Sequence, residues 1–274
     1  MNKSDRYKEK RRKRRNKKEA RAQRKQYFFV ISELTGREIK RKYARSYLGI
    51  IWSVLNPLLT MVVMSLIFST MFKRNIDNFP MYYLTGSLFW TLFSGATNSA
   101  MTALVDNKTL LTRAKLPKQT FVLSRIYTSL ANFGYSFIAY VLVLIFFRIK
   151  LTWFMLLFPI DVLLSLIFAT GIGYILSILY VFFADIKYLY GVFLTLLMYF
   201  SAIFYPATAL PEQLQVLIGL NPIYMSIYIA RECMVYGRMP YFTSWIKLLA
   251  AAVISIGLGY LIFRKNENKV MQKI

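Results

Sequence analysis

Histidine is absent from this 274-residue chain, and cysteine occurs once, as Cys233. The first absence removes imidazole catalysis, imidazole proton relays and His-ligated metal sites. The second removes any internal disulfide framework. Acid is scarce too, with 12 Asp and Glu against 36 Lys and Arg, a net charge of +24. No GxxxxGK[ST] phosphate loop occurs, so the chain does not itself hold ATP in the P-loop manner. Asp106 and Asp185 are the acidic candidates near one membrane face, but no Asp-x-Asp pair is present. That argues against the rival reading of a membrane-embedded transferase acting on a carrier lipid. Asp161 is a lone carboxylate at membrane depth, which argues against ion coupling and fits energy delivered from elsewhere. The basic region before the first apolar run is too long for the n-region of a cleavable signal peptide.

What is present is grease and positive charge, and the two are separated along the chain. Hydrophobic residues make up 57% of it, while Met1 to Arg45 holds 19 of the 36 basic residues. Beyond Arg45 come apolar runs of the length a bilayer demands, about 20 residues for a helix. The runs are continuous and not alternating, so they predict helices and not a barrel. Six spans are expected: Ile51–Phe72, Met81–Val105, Thr120–Phe147, Trp153–Phe183, Tyr188–Phe204 and Trp245–Phe263. With the N-terminus cytoplasmic, 29 basic residues fall inside and six outside, with Lys247 near the outer end of the last span. The positive-inside rule therefore predicts both termini cytoplasmic, and the lack of a long outer domain with the basic, His-free composition suggests a bacterial plasma membrane.

Phe204 to Ser244 is too long for a plain loop and too apolar for a soluble insertion. Pro206, Pro211, Pro222 and Pro240 interrupt it, leaving Leu210–Leu220 and Ile223–Tyr236 as short amphipathic helices. They read as outer re-entrant or interfacial elements. The other reading, a broken seventh span, would place the basic C-terminus outside. The fold class is thus all-α: six spans, an N-terminal interfacial amphipathic helix and short outer helices.

Four groups of residues invite a functional reading. From Glu33 to Trp52, Ile39, Tyr43, Tyr47 and Ile50 share one helix face, with Arg37, Arg41 and Arg45 opposite. The spacing predicts an interfacial helix. It is either a lipid anchor only, or a place where Arg41, Lys42 or Arg45 meets an anionic lipid-linked substrate. Upstream, Lys3 to Lys25 is a polybasic tract suited to anionic membrane lipid; without interleaved aromatics it gives little support to nucleic-acid binding. Next, the inner loop NKTLLTRAKLPKQT, Asn107–Thr120, spaces Leu110, Leu111 and Leu116 to dock on another surface. It reads as a coupling helix for a cytoplasmic partner, with the turn at Asp185 as a second contact; a plain connection is the alternative. Third, Asn98, Arg125, Asn132 and Asp161 lie at membrane depth and should face the bundle or water, although Arg125 is near enough to the inner end to snorkel. Fourth, Trp52, Tyr82, Trp153 and Trp245 fit an interfacial belt, whereas Tyr135, Tyr140, Tyr174, Tyr180 and Tyr199 lie deeper. They either pack helices together or line a glycan path. Gly171-x-Gly173 and Gly257-x-Gly259 read as close-packing positions.

The string KRKYARSYLGIIWSVLNPLL, Lys40–Leu59, resembles the opening of the membrane subunits of type-2 ABC exporters that move polysaccharides and teichoic acids. There a basic amphipathic helix leads through LGxxW and an NPLL-like turn into the first span. LLTRAKLP, Leu110–Pro117 with Arg113 and Lys115, resembles the coupling segment of that family. FYP at Phe204, Tyr205 and Pro206 resembles the start of its outer gate helices, and Asn221-Pro222 followed by Arg231 the segment before its last span. The resemblance covers about Glu33 to Lys265. It implies a transmembrane domain over residues 33–265, between a polybasic tail at 1–32 and a cytoplasmic tail at 266–274. It further implies two copies of the chain forming the channel and two ATP-binding cassette subunits docked on the coupling segments. ATP and magnesium would sit in those subunits, with no cofactor bound by this chain. The implied substrate is a glycan or teichoic acid on undecaprenyl diphosphate, its diphosphate held by Arg37, Arg41, Lys42 and Arg45. A type-2 exporter of drugs or small lipids is the nearer alternative.

Overall fold

A computed structural model of the chain describes residues 25–44, 46–71, 76, 78–113 and 116–273. The described residues are almost wholly helical, and none forms a strand. Helix α1 covers residues 25–43. The long helices are α2 Trp52–Met71, α3 Phe79–Asp106, α5 Gln119–Phe146, α6 Phe158–Phe182 and α10 Phe242–Lys273, with the shorter α7 Ile186–Tyr199. Short helices are α4 Lys108–Arg113, α8 Glu212–Ile218 and α9 Pro222–Arg231, the last running into a π turn at Glu232–Tyr236. The polybasic tract up to Arg24, Arg45 and Lys115 lie outside the described residues, as does the expected end of the first span at Phe72.

Four segments are long and apolar enough to cross a membrane: Gly49–Phe68, Gln119–Phe146, Trp153–Phe182 and Phe242–Lys273. The other two expected spans depart from that standard for different reasons. Helix α3 has 28 residues but carries Ser87, Thr91, Ser94, Asn98, Ser99 and Thr102. Helix α7 is apolar but has 14 residues, roughly 21 Å at the helical rise, because the chain unwinds after Tyr199. Ala202 there takes a left-handed conformation, φ 47°. The last span, expected to end at Phe263, continues as helix to Lys273.

The core lies among α3, α5, α6, α9 and α10. Helices α6 and α10 cross so closely that a Cβ on Gly171 would lie 2.2 Å from the Ser255 carbonyl carbon, and one on Gly259 2.3 Å from the Gly171 oxygen. Small residues let backbones approach where lipid gives no hydrophobic drive to association. Gly173 likewise meets Ala100, while Gly257 faces open space, so three of the four glycines pack as expected. By contrast α2 is scarcely covered: 6% of its apolar window is buried, and Leu59, Val62 and Val63 are exposed. Helix α7 buries Tyr190 and Leu194 and exposes Leu189, Val192, Phe193 and Leu196.

Two expectations about the start of the chain change. Helix α1 does not continue to Trp52; it ends at Tyr43, and Gly49 at φ 51° begins a 3-10 turn, Gly49–Ile51, into α2. Its buried face is consequently Ile31 and Leu34, flanked by Tyr27, Val30 and Thr35, while Tyr47 is fully exposed. Asn56-Pro57 is no turn either, for Pro57 sits inside α2. A proline there cannot donate to the carbonyl four residues back. Ser136 on α5 supplies the missing donor, its hydroxyl reaching the Ser53 oxygen at 3.3 Å.

Candidate functional site

The end of the bundle that carries α1, α4 and the start of α5 is the basic end. Here α1 is pinned across α3 and α5 by side chains. Arg37 Nη2 donates to Asn107 Oδ1 at 2.7 Å, at the junction of α3 and α4. Lys42 Nζ donates to Asn132 Oδ1 at 3.0 Å, and the Tyr43 hydroxyl reaches the same oxygen at 3.2 Å. Tyr43 also pairs with Ser53. Arg125 does not snorkel. Its Nη1 donates to Glu38 Oε2 at 2.6 Å and its Nη2 to Asp106 Oδ2 at 2.9 Å, with 13% of the side chain exposed. Thr102 donates to the same Asp106 oxygen at 2.7 Å.

Between α1, α3 and α5 these contacts leave a cavity of about 500 Å³. Glu38, Arg41 and Lys42 of α1 line it, with Gly95 and Ser99 of α3 and Arg125, Thr128, Ser129 and Asn132 of α5. A narrower cavity of about 130 Å³ shares Lys42, Gly95, Ser129 and Asn132 and adds Thr91 and Ser136 beside apolar Leu88, Leu92 and Phe133. Thr91, Gly95 and Ser99 stand i, i+4, i+8 on α3, one stripe on one face. Several of these hydroxyls donate to their own helix, as Thr91 to Ser87 O and Ser99 to Gly95 O, which leaves their oxygen lone pairs towards the cavity. Among the described residues Arg41 has no hydrogen bond or ion pair, and Lys42 has no acidic partner. Two cations at the mouth of a hydroxyl-lined cavity suit an anionic group followed by a polyhydroxyl chain.

The predicted basic set therefore divides. Arg41 and Lys42 line the cavity, Arg37 holds the α3–α4 junction, and Arg45 lies outside the described residues. The coupling leucines do not point outward. Leu111 is buried, and Leu110 and Leu116 pack on this chain's own core. A six-residue helix must anchor itself by its apolar side, which leaves Lys108, Thr109, Thr112 and Arg113 exposed, along with Pro117 and Asp185. Lys118 ties the following turn to the Glu267 carbonyl on α10.

At the opposite end the structure brings most of the expected gate residues together. Arg231 is 4% exposed. Its Nε, Nη1 and Nη2 donate to the carbonyls of Tyr82, Ala202 and Ile203 at 3.2, 3.0 and 3.1 Å. Its guanidinium carbon lies 3.3 Å from the centre of the Tyr82 ring. That tyrosine's hydroxyl bonds Tyr205 O at 2.8 Å, so Tyr82 is no belt residue. A Cβ on Gly86 would lie 2.8 Å from Arg231 Nη2, so the close approach needs glycine there. Asn221 caps α9 through Ile223 N and donates to Phe200 O and Ser201 Oγ. Phe204 stacks with Phe68 and Tyr83, beside half-buried Pro206. Burial raises the neighbouring Glu232 carboxyl above its usual range, and Arg238 works against the rise.

The five deep tyrosines do not share a surface. Tyr140 is wholly buried and bonded to Thr85, and Tyr174 is closed against Phe263. Tyr135 and Tyr180 are half-buried, and Tyr199 is exposed. Asp161 is wholly buried and accepts from Ser226. Glu38, Asn107 and the hydroxyl stripe are not marked from the sequence, where Asp106 is weighed only for a transferase and Tyr82 only for the belt; the four-residue recurrence of small polar residues on α3 is the available signal.

A scan against protein families adds that residues 30–235 match the description "ABC-2 type transporter". The chain belongs to this family. It is similar to the O-antigen export system permease protein RfbA of Myxococcus xanthus, 30% identical, covering 91% of this chain and 96% of that one. A Klebsiella pneumoniae protein of the same name is 26% identical over 87% of this chain and 92% of its own length. The Escherichia coli polysialic acid transport protein KpsM is 22% identical over 88% and 95%. The family read from Lys40–Leu59 and its companion motifs is thus borne out, and the chain is a multi-pass membrane component of a transporter.

Proposed function

We propose that this chain is the membrane subunit of an ATP-driven exporter of a lipid-linked polysaccharide, with the basic end cytoplasmic. The observation that carries the reading is the pair Arg41 and Lys42, without acidic partners among the described residues, at the mouth of the 500 Å³ cavity. A diphosphate satisfies both cations, and the isoprenoid tail stays in lipid beside α1 and α2. The first sugars meet Thr91, Ser129, Asn132 and Ser136 in the narrower cavity. A polar polymer needs such groups because hydrocarbon offers none. The named relatives that export O-antigen and polysialic acid support this substrate class. Teichoic acid presents the same diphosphate carrier chemistry.

Six spans follow, with α3 crossing by turning its polar stripe to the path and α7 crossing as a short helix completed by residues 200–206. The uncovered apolar faces of α2 and α7 support a second copy of the chain as partner. Two ATP-binding cassette subunits, holding ATP and magnesium, dock on the exposed side of α4 and near Asp185. The Arg231 assembly, with α8 and α9, forms the outer gate. Of the five tyrosines, Tyr135, Tyr180 and Tyr199 retain surface for the path.

The test is purification from native membranes in mild detergent, with protein and lipid analysis of the same sample. A stoichiometric subunit carrying a phosphate loop and a glycan on undecaprenyl diphosphate are expected, the lipid depleted in Arg41→Ala/Lys42→Ala with the subunit retained. A chain that purifies alone, without ATPase activity, overturns the reading.

A further inference from the structure

Arg125 is the wall residue of the large cavity whose charge is already engaged. Glu38 from α1 and Asp106 from the end of α3 take its two terminal nitrogens, at 2.6 and 2.9 Å. Its Nε is buried and has no hydrogen-bond partner. The guanidinium thus sits between two carboxylates and a space flanked by Arg41 and Lys42. A multivalent anion entering that space competes with both carboxylates for the same donors. Glu38 is the one carboxylate in the cavity wall among the described residues, the remaining lining groups being hydroxyls, an amide and a glycine, while Asp106 reaches Arg125 from outside that lining. The two rivals sit on different helices, α1 and α3. Glu38 neighbours Arg37, which grips Asn107; Asp106 neighbours Asn107 itself, whose carbonyl accepts the Leu110 and Leu111 amides of α4.

We propose that Arg125 senses occupancy of the cavity by exchanging Glu38 and Asp106 for the phosphate oxygens of the bound anion. The inference rests on the reading of the cavity as a diphosphate site and adds a ligand and a signal to it. In the empty cavity, Arg125 ties α1 to the α3–α4 junction. In the filled cavity, it turns to the anion, Asp106 keeps Thr102 alone, and the junction that carries α4 is left with Arg37 as its tie to α1. Substrate arrival is in this way transmitted to the exposed face of α4 without any contact between them. No covalent step is involved, and charge is conserved by the exchange of ionic partners.

The exchange predicts an effect of unusual sign. A purely structural ion pair loses binding when either acid is removed; a competing one gains it. The full-length chain in phosphatidylcholine nanodiscs is titrated with undecaprenyl diphosphate, and thermal unfolding monitors the fold. Glu38→Gln and Asp106→Asn are each expected to tighten the dissociation constant about fivefold, on the scale of one ordinary net hydrogen bond. In an Arg125→Ala background the same substitutions are expected to change it by less than about twofold. Persistence of the gain in that background would mean a general field effect and overturns the exchange. Unchanged or weakened binding in folded Asp106→Asn overturns it too, and this variant stands if Glu38→Gln fails to insert. A spin-label pair at Lys40 and Thr112, both exposed, is expected to broaden in distance on ligand addition in the parent and not with Arg125→Lys; an unchanged parent distribution overturns the transmission. Failure of the underlying reading looks different: the parent then does not bind undecaprenyl diphosphate, or binds it equally after Arg41→Ala/Lys42→Ala.

Discussion

Arginine is used in opposite ways at the two ends of this bundle. At the end away from α1, Arg231 is buried and three backbone carbonyls receive its three nitrogens. Backbone acceptors cannot turn aside, and the planar fork fits them together with the Tyr82 ring. At the basic end, Arg125 is held by side chains, and Arg41 by none of the described residues. Side-chain carboxylates can rotate away, and a cavity beside them offers room for something to replace them. One end uses the charge to hold a shape; the other holds it ready to change partner. The two can be told apart by what mutation removes, stability or binding.

The largest effect is expected at Arg231. Truncation to Ala leaves the Ile203 carbonyl buried without its donor and the Ala202 carbonyl with only the Tyr82 hydroxyl at 3.4 Å, and releases the left-handed turn at Ala202. A loss of about 3–5 kcal/mol is expected, the range for breaking a buried charged arrangement, seen as a fall in the detergent unfolding midpoint. Arg231→Lys is expected to recover little, because one ammonium does not span three carbonyls in a fork. A stable Arg231→Ala protein would erase the contrast between the ends.

Charge reversal at the other end reads out the converse. Among the described residues Arg41→Glu/Lys42→Glu removes one lysine–amide bond and no ion pair, so the unfolding midpoint is expected to move by less than about 1 kcal/mol equivalent. Export is expected to fall about a hundredfold, the worth of two hydrogen bonds to a charged ligand. Export unaffected in well-inserted protein would leave α1 as a lipid anchor only.

Helix α4 sharpens the comparison within the basic end, because its two sides do different things. Leu111→Ala cuts into a buried contact and is expected to cost about 2 kcal/mol or more of stability. Arg113→Glu, on the exposed side, is expected to leave the unfolding midpoint in place and to lower ATPase activity of the complex. A stability loss in both would place the whole helix in the core.

Much of this architecture was legible in sequence because bilayer length and continuous hydrophobicity are one-dimensional signals. The helices α2, α3, α5, α6 and α7 start within a few residues of their expected positions. What sequence hid was three-dimensional. The chain leaves α1 after Tyr43 and enters α2 through a left-handed Gly49, and nothing in the apolar spacing marks either point. The leucines of α4 gave the right amphipathic pattern but not the identity of the surface they meet, which is their own chain. Tyr82 looked like a belt residue because ring position, and not hydropathy, makes it the platform for Arg231. Glu38 and Asp106 lie far apart in sequence, and only the docking of α1 places both on Arg125.

The smallest of these effects is expected at Asn221, and it tests whether the rigid end is built from many fixed bonds or from Arg231 alone. Its Oδ1 accepts from Ile223 N at 3.0 Å, capping α9, while its Nδ2 bridges Phe200 O and Ser201 Oγ. Asn221→Ala loses both and is expected to cost about 1–2 kcal/mol, the cap supplying about half. Asn221→Asp keeps the cap acceptor but places a carboxylate against the Phe200 carbonyl, so it separates the halves. If Asp is as stable as Asn, the bridge to the unwound segment contributes nothing, and α9 is held to residues 200–203 by Arg231 alone. If Asp is worse than Ala, the amide bridge is a second clamp on the same carbonyl row, and the opposite end is rigid because its acceptors are backbone, whatever donor reaches them.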